Sequence, residues 1–72
     1  MRPIPNQYHE KYLLFLNDFI QNNAEYNSVC TDREITAVNL LDQVSETYTI
    51  ISFRDGCDLI IPNVFKAFLS LK

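Results

Sequence analysis

Two largely apolar runs that flank an Asp-Gly pair predict a β-hairpin over residues 48–62. The turn falls at Asp55 and Gly56, because glycine takes a positive φ without the clash that a Cβ atom would cause. The runs before and after this turn are both rich in isoleucine and other strand-forming residues. We therefore expect the rest of the chain to be organised around this hairpin.

The register of the hairpin decides which side chains share a face. A two-residue turn pairs Phe53 with Asp58 and sets a carboxylate beside apolar neighbours, whereas a three-residue turn pairs Phe53 with Cys57. A slip of one residue moves every side chain to the opposite face, so the cleaner segregation favours the three-residue turn. In this register one face carries the residues expected in the core, which are Ile51, Phe53, Cys57, Leu59 and Ile61.

Apolar residues at helical spacing predict an N-terminal helix from Asn6, a suitable N-cap, to about Asn22. Residues 1–5, which include two prolines, are expected to form an extended lead-in. Leu14 lies on the side of the helix opposite the apolar face. That face carries an aromatic stripe that we expect to pack in the core rather than bind a ligand: Tyr8, Tyr12, Phe15 and Phe19.

The segment that precedes the hairpin fits either a strand or a helix. Thr31 and Glu34 have the spacing of a helix capping box, and a helix over residues 32–44 gives the order α-α-β-β-α. The β-branched residues of this segment favour a strand, however, and a third strand stabilises a hairpin that is marginal alone. We therefore predict a strand over residues 34–41, preceded by a loop over residues 24–32.

A second helix is predicted from Asn63, which can cap it, to Lys72. The resulting order is α-β-β-β-α, a three-stranded antiparallel meander with N- and C-terminal helices. It belongs to the α+β class, and a chain of 72 residues is expected to form a single domain over residues 1–72.

Apolar residues are expected on both faces of the predicted sheet. Tyr48, Ile50 and Ile60 point away from the expected core face of the hairpin. An antiparallel sheet with one solvated face should alternate more cleanly than this. Either the two helices cover one face each, or both pack on one face and leave the other for a second chain. We favour the second arrangement, because the chain has little helical material.

Composition and charge exclude several classes of function. The net charge is −3 and the six basic residues are scattered, which argues against binding to nucleic acid. No apolar run approaches the ~20 residues of a membrane span, and the N-terminus lacks the apolar region of a signal peptide. We therefore expect a cytoplasmic protein that does not bind membranes, in which Cys30 and Cys57 stay reduced and Cys57 is buried.

Candidate catalytic and metal-binding residues are few. His9 is the single histidine, and no flanking motif pairs it with a nucleophile. A zinc site of His9, Cys30 and Cys57 would lack the closely spaced ligand pairs of structural sites. One glycine in the chain rules out a glycine-rich phosphate loop. We expect no catalytic, cofactor or metal site.

These expectations describe a small non-enzymatic interaction protein. We expect a homodimer that occludes a surface of a partner protein, as an inhibitor, immunity or accessory protein does, with an origin in a phage or mobile element. The alternative is a nucleic-acid-associated regulator in which residues 31–44 are helical and the hairpin is a wing. The residues expected to contact the partner are Tyr48, Ile50, Ile60, Leu14, Asp42 and Glu46.

Overall fold

The computed structural model describes residues 1–71, which form a four-stranded antiparallel sheet and three α-helices. The strands lie in the order β1-β2-β3-β4, so that each strand pairs with its neighbours in the sequence. The predicted α+β class is confirmed, but the sheet has one strand more than predicted. The elements are β1 (Arg2–Pro3), a 3₁₀ turn (Asn6–Tyr8), α1 (His9–Gln21), α2 (Ala24–Cys30), β2 (Ile35–Asp42), β3 (Thr47–Phe53), β4 (Asp58–Pro62) and α3 (Val64–Ser70).

The hairpin of β3 and β4 has the predicted register. Ile51 pairs with Leu59, and the backbone N–H of Phe53 donates to the carbonyl of Cys57 at 2.9 Å. Gly56 has a φ of +93°, and its N–H donates to the carbonyl of Phe53 at 3.0 Å. The carboxylate of Asp55 accepts the N–H of Cys57 at 3.0 Å, which fixes the same turn from its side chain. The three-residue turn is thus confirmed.

The strand predicted over residues 34–41 is confirmed as β2, and the alternative helix over residues 32–44 is wrong. β2 pairs with β3 from Ile35↔Phe53 to Asp42↔Thr47, with one bulge. This long ladder outweighs the local capping signal, because tertiary context routinely overrides weak helical preferences. Thr31 instead follows the end of α2, where its hydroxyl donates to the carbonyl of Asn27 at 2.7 Å.

The predicted loop over residues 24–32 is wrong, because most of it forms α2. Asn23 caps this helix: its side-chain oxygen accepts the N–H of Tyr26 at 3.1 Å. The ring of Tyr26 lies 5.9 Å from that of Phe19 on α1. A side-chain cap and a tertiary ring contact therefore hold a short helix whose composition alone does not favour one.

Residues 1–5 are more than the extended lead-in that was predicted, since Arg2 and Pro3 form β1 and pair with Leu40 and Asn39. The guanidinium Nε of Arg2 lies 2.6 Å from a carboxylate oxygen of Asp42 near the end of β2. Proline is tolerated here because β1 is at the edge of the sheet and needs no outward donor.

All three helices lie on one face of the sheet. The hydroxyl of Tyr12 on α1 contacts that of Thr49 on β3, and the ring of Phe65 on α3 lies 5.0 Å from the ring of Tyr12. Tyr26 of α2 packs against the same cluster. The arrangement with both predicted helices on one face is therefore observed. The core cluster comprises Ile4, Tyr12, Leu16, Ile20, Leu40, Ile51, Phe53, Ile61, Val64, Phe65 and Phe68.

The helix ends differ from the predicted caps. Asn6 begins a 3₁₀ turn that leads into α1, and Pro5 rather than Asn6 occupies the position before that turn. Asn63 occupies the predicted N-cap position of α3 in a left-handed conformation with a φ of 63°. Its carbonyl accepts the N–H of Ala67 at 3.0 Å, but its side chain makes no capping hydrogen bond. The predicted end of this helix at Lys72 lies outside the described residues.

Candidate interaction surfaces

The face of the sheet opposite the helices is apolar and carries no helix of the described chain. Alternation places Tyr48 and Ile50 on the side away from Thr49, which faces α1. Ile50 is paired with Ile60 across the hairpin. We call this surface the outer face and define it by Asn39, Leu41, Tyr48, Ile50, Ile60 and Pro62.

Two isoleucines at the centre of the outer face differ in exposure. Ile50 is only 8% exposed, although it does not belong to the core cluster. It lies on the inner strand β3, where Asn39 and Ile60 flank it on the neighbouring strands. Ile60 lies on the edge strand β4 and is 54% exposed. The accessible apolar group of this pair is therefore Ile60.

Glu46 lies at the rim of the outer face, next to Tyr48. It closes the β2–β3 turn, where its carbonyl accepts the N–H of Gln43 at 2.8 Å. A hydrogen bond to the Glu46 carboxylate, together with its negative charge, raises the pKa of the Tyr48 phenol. The structure therefore brings together four of the residues expected to contact a partner: Tyr48, Ile50, Ile60 and Glu46.

The other two residues expected to contact a partner do not join this group. Asp42 lies on the same side of β2 as Leu40, facing the helices, and binds Arg2 and the hydroxyl of Thr47. The hydrogen bond from Arg2, followed by that from Thr47, lowers the pKa of Asp42. Leu14 is 68% exposed and lies about 200° around α1 from buried Tyr12, so it points away from the sheet. Leu14 and Ile60 are thus on opposite sides of the molecule.

A second apolar surface, which the sequence did not reveal, is a cleft between α1 and β2. Its volume is about 350 Å³. We call it the edge cleft. On one side it is bounded by a single face of α1, and on the other by four successive residues of β2. Its lining comprises His9, Leu13, Leu16, Asn17, Ile20, Ile35, Thr36, Ala37 and Val38. From the sequence, the apolar spacing of α1 predicts a helix that faces the core. It does not indicate that part of this apolar face remains uncovered beside β2.

The thiols and the histidine are not gathered into a reactive cluster. Cys57, expected to be buried, is exposed, because no helix covers the turn end of the hairpin on that side. Cys30 is half-buried, and burial raises the pKa of its thiol while the nearby charge of Arg33 lowers it. Both cysteines are free thiols. Within residues 1–71, no group of three His, Cys, Asp or Glu side chains is placed to hold a metal ion.

The three arginines form ion pairs with acidic side chains. Besides Arg2 with Asp42, Arg54 lies 3.2 Å from Glu34, and the Arg33 guanidinium lies 3.7 Å from Asp55. The Arg33 guanidinium also lies over the ring of Phe53, 5.2 Å from its centroid. The contacts of Arg33 and Arg54 join the residues just before β2 to the hairpin turn between β3 and β4. Asp58, two residues from Ile60 and paired with Ser52, places a negative charge on the outer face near the hairpin turn.

None of the helices within residues 1–71 has both the length and the apolar character needed to cross a membrane. Comparison with protein-family models, with curated proteins and with solved structures found no match to this chain.

Proposed function

We propose that this chain is a non-enzymatic protein-interaction module that forms a homodimer through the outer face of its sheet. The observation that carries the proposal is the position of the helices: all three pack on one face, and the opposite face presents Tyr48 and Ile60 to solvent. An exposed apolar patch on a sheet face is stabilised by removal from water.

The size of the outer face indicates how strong such a dimer is. β3 has seven residues and the sheet has four strands, so the face measures roughly 23 Å by roughly 19 Å. A standard stable interface buries about 800 Å² on each partner, and this face, with a footprint of roughly 440 Å², falls in the smaller class of weak interfaces. We therefore expect a dissociation constant in the micromolar range rather than the nanomolar range.

In the proposed dimer a two-fold axis passes through the outer face, so that the outer faces of the two copies pack against each other. In a face-to-face pair the sheets lie about 10 Å apart, and the side chains of the two faces interdigitate. The same surface of each copy is used, so Ile60 of one copy is buried against the outer face of the other. Glu46 stays at the rim, where a charge influences the rate of association more than the affinity.

The role that we propose for this module is to occlude a surface of a larger protein, in the manner of an inhibitor, an immunity protein or an accessory factor. We place this role in the cytoplasm and its origin in a phage or mobile element. These assignments rest on the small size and the acidic charge of the chain and on the exposed apolar face.

Sedimentation velocity and light scattering of the wild-type chain and of Ile60→Asp test the homodimer. Ile60 is the better site than Ile50, because an aspartate in place of half-exposed Ile60 does not bury a charge within the monomer. We expect the wild-type chain to shift from monomer to dimer between about 1 µM and about 1 mM, and Ile60→Asp to stay monomeric over this range. Circular dichroism should show the same fold for both.

Leu14→Asp is the matched control, since it makes the same change at a side chain of similar exposure on the opposite side of the molecule. We expect this variant to dimerise as the wild-type chain does. A wild-type chain that is monomeric at about 1 mM would overturn the proposal. A dimer that survives Ile60→Asp and dissociates with Leu14→Asp would assign the interface to α1 instead.

A further inference from the structure

The edge of β2 that faces away from β3 is only partly paired in the described chain. β1 pairs only with Asn39 and Leu40, whereas β2 begins four residues before Asn39, at Ile35. The segment Ile35–Val38 therefore has β3 on one side and, within residues 1–71, no strand on the other. A strand edge of this kind offers backbone N–H and C=O groups that can pair with another extended chain.

The edge cleft runs along this unpaired segment. Four successive residues of β2 line the cleft, although alternate side chains of a strand point to opposite faces of the sheet. A cleft that contacts all four must therefore lie beside the backbone, at the edge. The bulge between Ile35 and Ala37 lets Ile35 and Val38 face the helices together, since they pair with Phe53 and Ile51.

The opposite wall of the edge cleft is a single face of α1. His9, Leu13 and Ile20 recur at helical spacing along this face. From His9 to Ile20 the helix rises about 16 Å, which is the length of about five residues of an extended peptide. The cleft volume of about 350 Å³ lies within the range of protein sites that bind small ligands. Its dimensions fit a short strand and one or two aliphatic side chains.

We propose that the edge cleft binds an extended peptide segment of another protein, which adds to the sheet as a strand beside β2. The backbone of the peptide pairs with Ile35–Val38, and an aliphatic side chain enters between Leu13 and Ile35. Main-chain hydrogen bonds supply affinity in this mode of recognition, and pockets for alternate side chains supply specificity. The lining contains no Asp, Glu, Lys or Arg, so the segment that it accepts is uncharged and aliphatic at alternate positions.

The N-terminal strand β1 already binds to the same edge of β2, directly beside the unpaired segment Ile35–Val38. Arg2 and Pro3 pair with β2 as an added strand, and Ile4, which follows them, is buried in the core. The bound peptide continues the line of β1, so the edge of β2 is occupied from Ile35 to Leu40. This surface is separate from the outer face, because strand addition extends the sheet sideways and leaves Ile60 exposed. The inference therefore goes beyond the homodimer and does not depend on it.

Selection from a displayed library of random peptides of about nine residues, long enough to span the edge cleft, tests the proposal on the full chain. We expect the enriched peptides to carry aliphatic residues at alternate positions. The best of them, as a synthetic peptide, should perturb the NMR signals of Ile35–Val38 and of the α1 residues that face the cleft. It should slow amide exchange at Ile35 and Val38, whose backbone groups face the edge, more than at Ala37, which pairs with Ser52 of β3. Failure to enrich any peptide would overturn the proposal.

Two matched controls separate strand addition from nonspecific apolar binding. N-methylation of alternate amides of the peptide keeps its side chains but removes donors, and should weaken binding by at least about tenfold. Ile35→Lys, at an exposed position that lines the cleft, should have a similar effect, whereas Val44→Lys, in the exposed β2–β3 turn, should change binding by less than about twofold.

Three further outcomes would contradict the proposal. Equal binding of the N-methylated peptide would show that the backbone edge is not used. Perturbed signals at Ile60 would place the peptide on the outer face. Concentration-dependent protection of Ile35–Val38 without peptide, lost in Ile35→Lys, would assign the edge to a second copy of the chain. Because Ile60→Asp tests the outer face alone, failure of either proposal is distinguishable from failure of the other.

Discussion

The hydroxyl groups of Tyr12 and Thr49 lie 2.5 Å apart in a hydrogen bond that joins α1 to the inner strand β3. Both residues are 0% exposed. Buried polar groups are costly unless they are paired, so this bond specifies which face of the sheet α1 covers. It thereby also determines which face is left without a helix.

Removal of either hydroxyl should destabilise the fold. Thr49→Val leaves the Tyr12 hydroxyl buried without this partner, and Tyr12→Phe does the same to Thr49, so each should lower the free energy of unfolding by about 1–3 kcal/mol. The double variant removes both groups and should lose less than the sum of the two. Urea unfolding followed by circular dichroism measures all four proteins. Strict additivity would show that the bond does not couple the two residues.

Burial of Tyr12 also predicts a loss of stability at high pH. Burial, opposed in part by the bond to Thr49, raises the pKa of Tyr12 from 10.0 to about 12. Above pH 10 the unfolded chain loses this proton while the folded chain keeps it, so stability falls as pH rises from 10 to 12. The slope attributable to Tyr12 is at most about 1.4 kcal/mol per pH unit.

Tyr12→Phe isolates this contribution from those of the other tyrosines. In this variant the free energy of unfolding should fall less steeply between pH 10 and 12 than in the wild-type chain. Urea titrations at fixed ionic strength across this interval provide the comparison. Parallel curves for the two proteins would mean that Tyr12 is not the group responsible.

The parts of the fold that could be predicted from sequence are those with strong local periodicity. The Asp55-Gly56 turn sets the hairpin register, and the apolar spacing of α1 and α3 is clear. β1 could not be predicted, because its two residues are held by pairing with Leu40 and by an ion pair with Asp42, 40 positions away. α2 depends in a similar way on a tertiary contact between Tyr26 and Phe19.

The candidate sites also differ in whether they follow from local periodicity or from contacts between distant segments. The outer face follows from alternation, since one correct register places Tyr48, Ile50 and Ile60 together. Asp42 could not be assigned, because its partner Arg2 is on a strand that the sequence does not signal. The edge cleft depends on where β1 stops relative to β2, which is a property of the sheet rather than of either segment.

The ion pair between Arg2 and Asp42 should control the attachment of β1. Arg2→Ala removes the 2.6 Å contact and the cation above the ring of Phe65, so β1 should detach more often while the remaining sheet persists. Faster amide exchange at Leu40, whose backbone groups face β1, is the expected NMR result, with Asn39, which is paired with Ile50 of β3, and the amides of β3 unchanged. Equal exchange rates in both proteins would mean that backbone pairing alone holds β1.

The same ion pair predicts a dependence on acid pH. The pKa of Asp42 is lowered in the folded chain, chiefly by the hydrogen bond from Arg2, so the stability that it contributes is present above its ordinary pKa of 3.8. This contribution is lost as pH falls below 3.8 toward the folded-state pKa. Exchange at Leu40 should therefore accelerate on acidification in the wild-type chain relative to a core amide. In Arg2→Ala this relative acceleration should be smaller.

Gly56 should be required for its backbone conformation and not for space. Its φ is +93°, and a Cβ atom built there meets nothing within 4 Å. Gly56→Ala should therefore lower stability by about 1 kcal/mol through strain alone. Gly56→Asn should cost less, since asparagine tolerates positive φ. Thermal unfolding of the three proteins measures the order, and equal loss for both variants would contradict it.

The two thiols should react at different rates, which also provides a control for the dimer. Cys57 is exposed, whereas burial raises the pKa of half-buried Cys30 and lowers the fraction present as reactive thiolate. Iodoacetamide followed by mass spectrometry should therefore label Cys57 first. Cys57 lies on the same side of the hairpin as Phe53, away from the outer face, so Cys57→Ser should dimerise like the wild-type chain under reducing conditions. A wild-type dimer that forms only without reductant and is absent in Cys57→Ser would instead indicate that a disulfide between copies, formed by oxidation, accounts for the association.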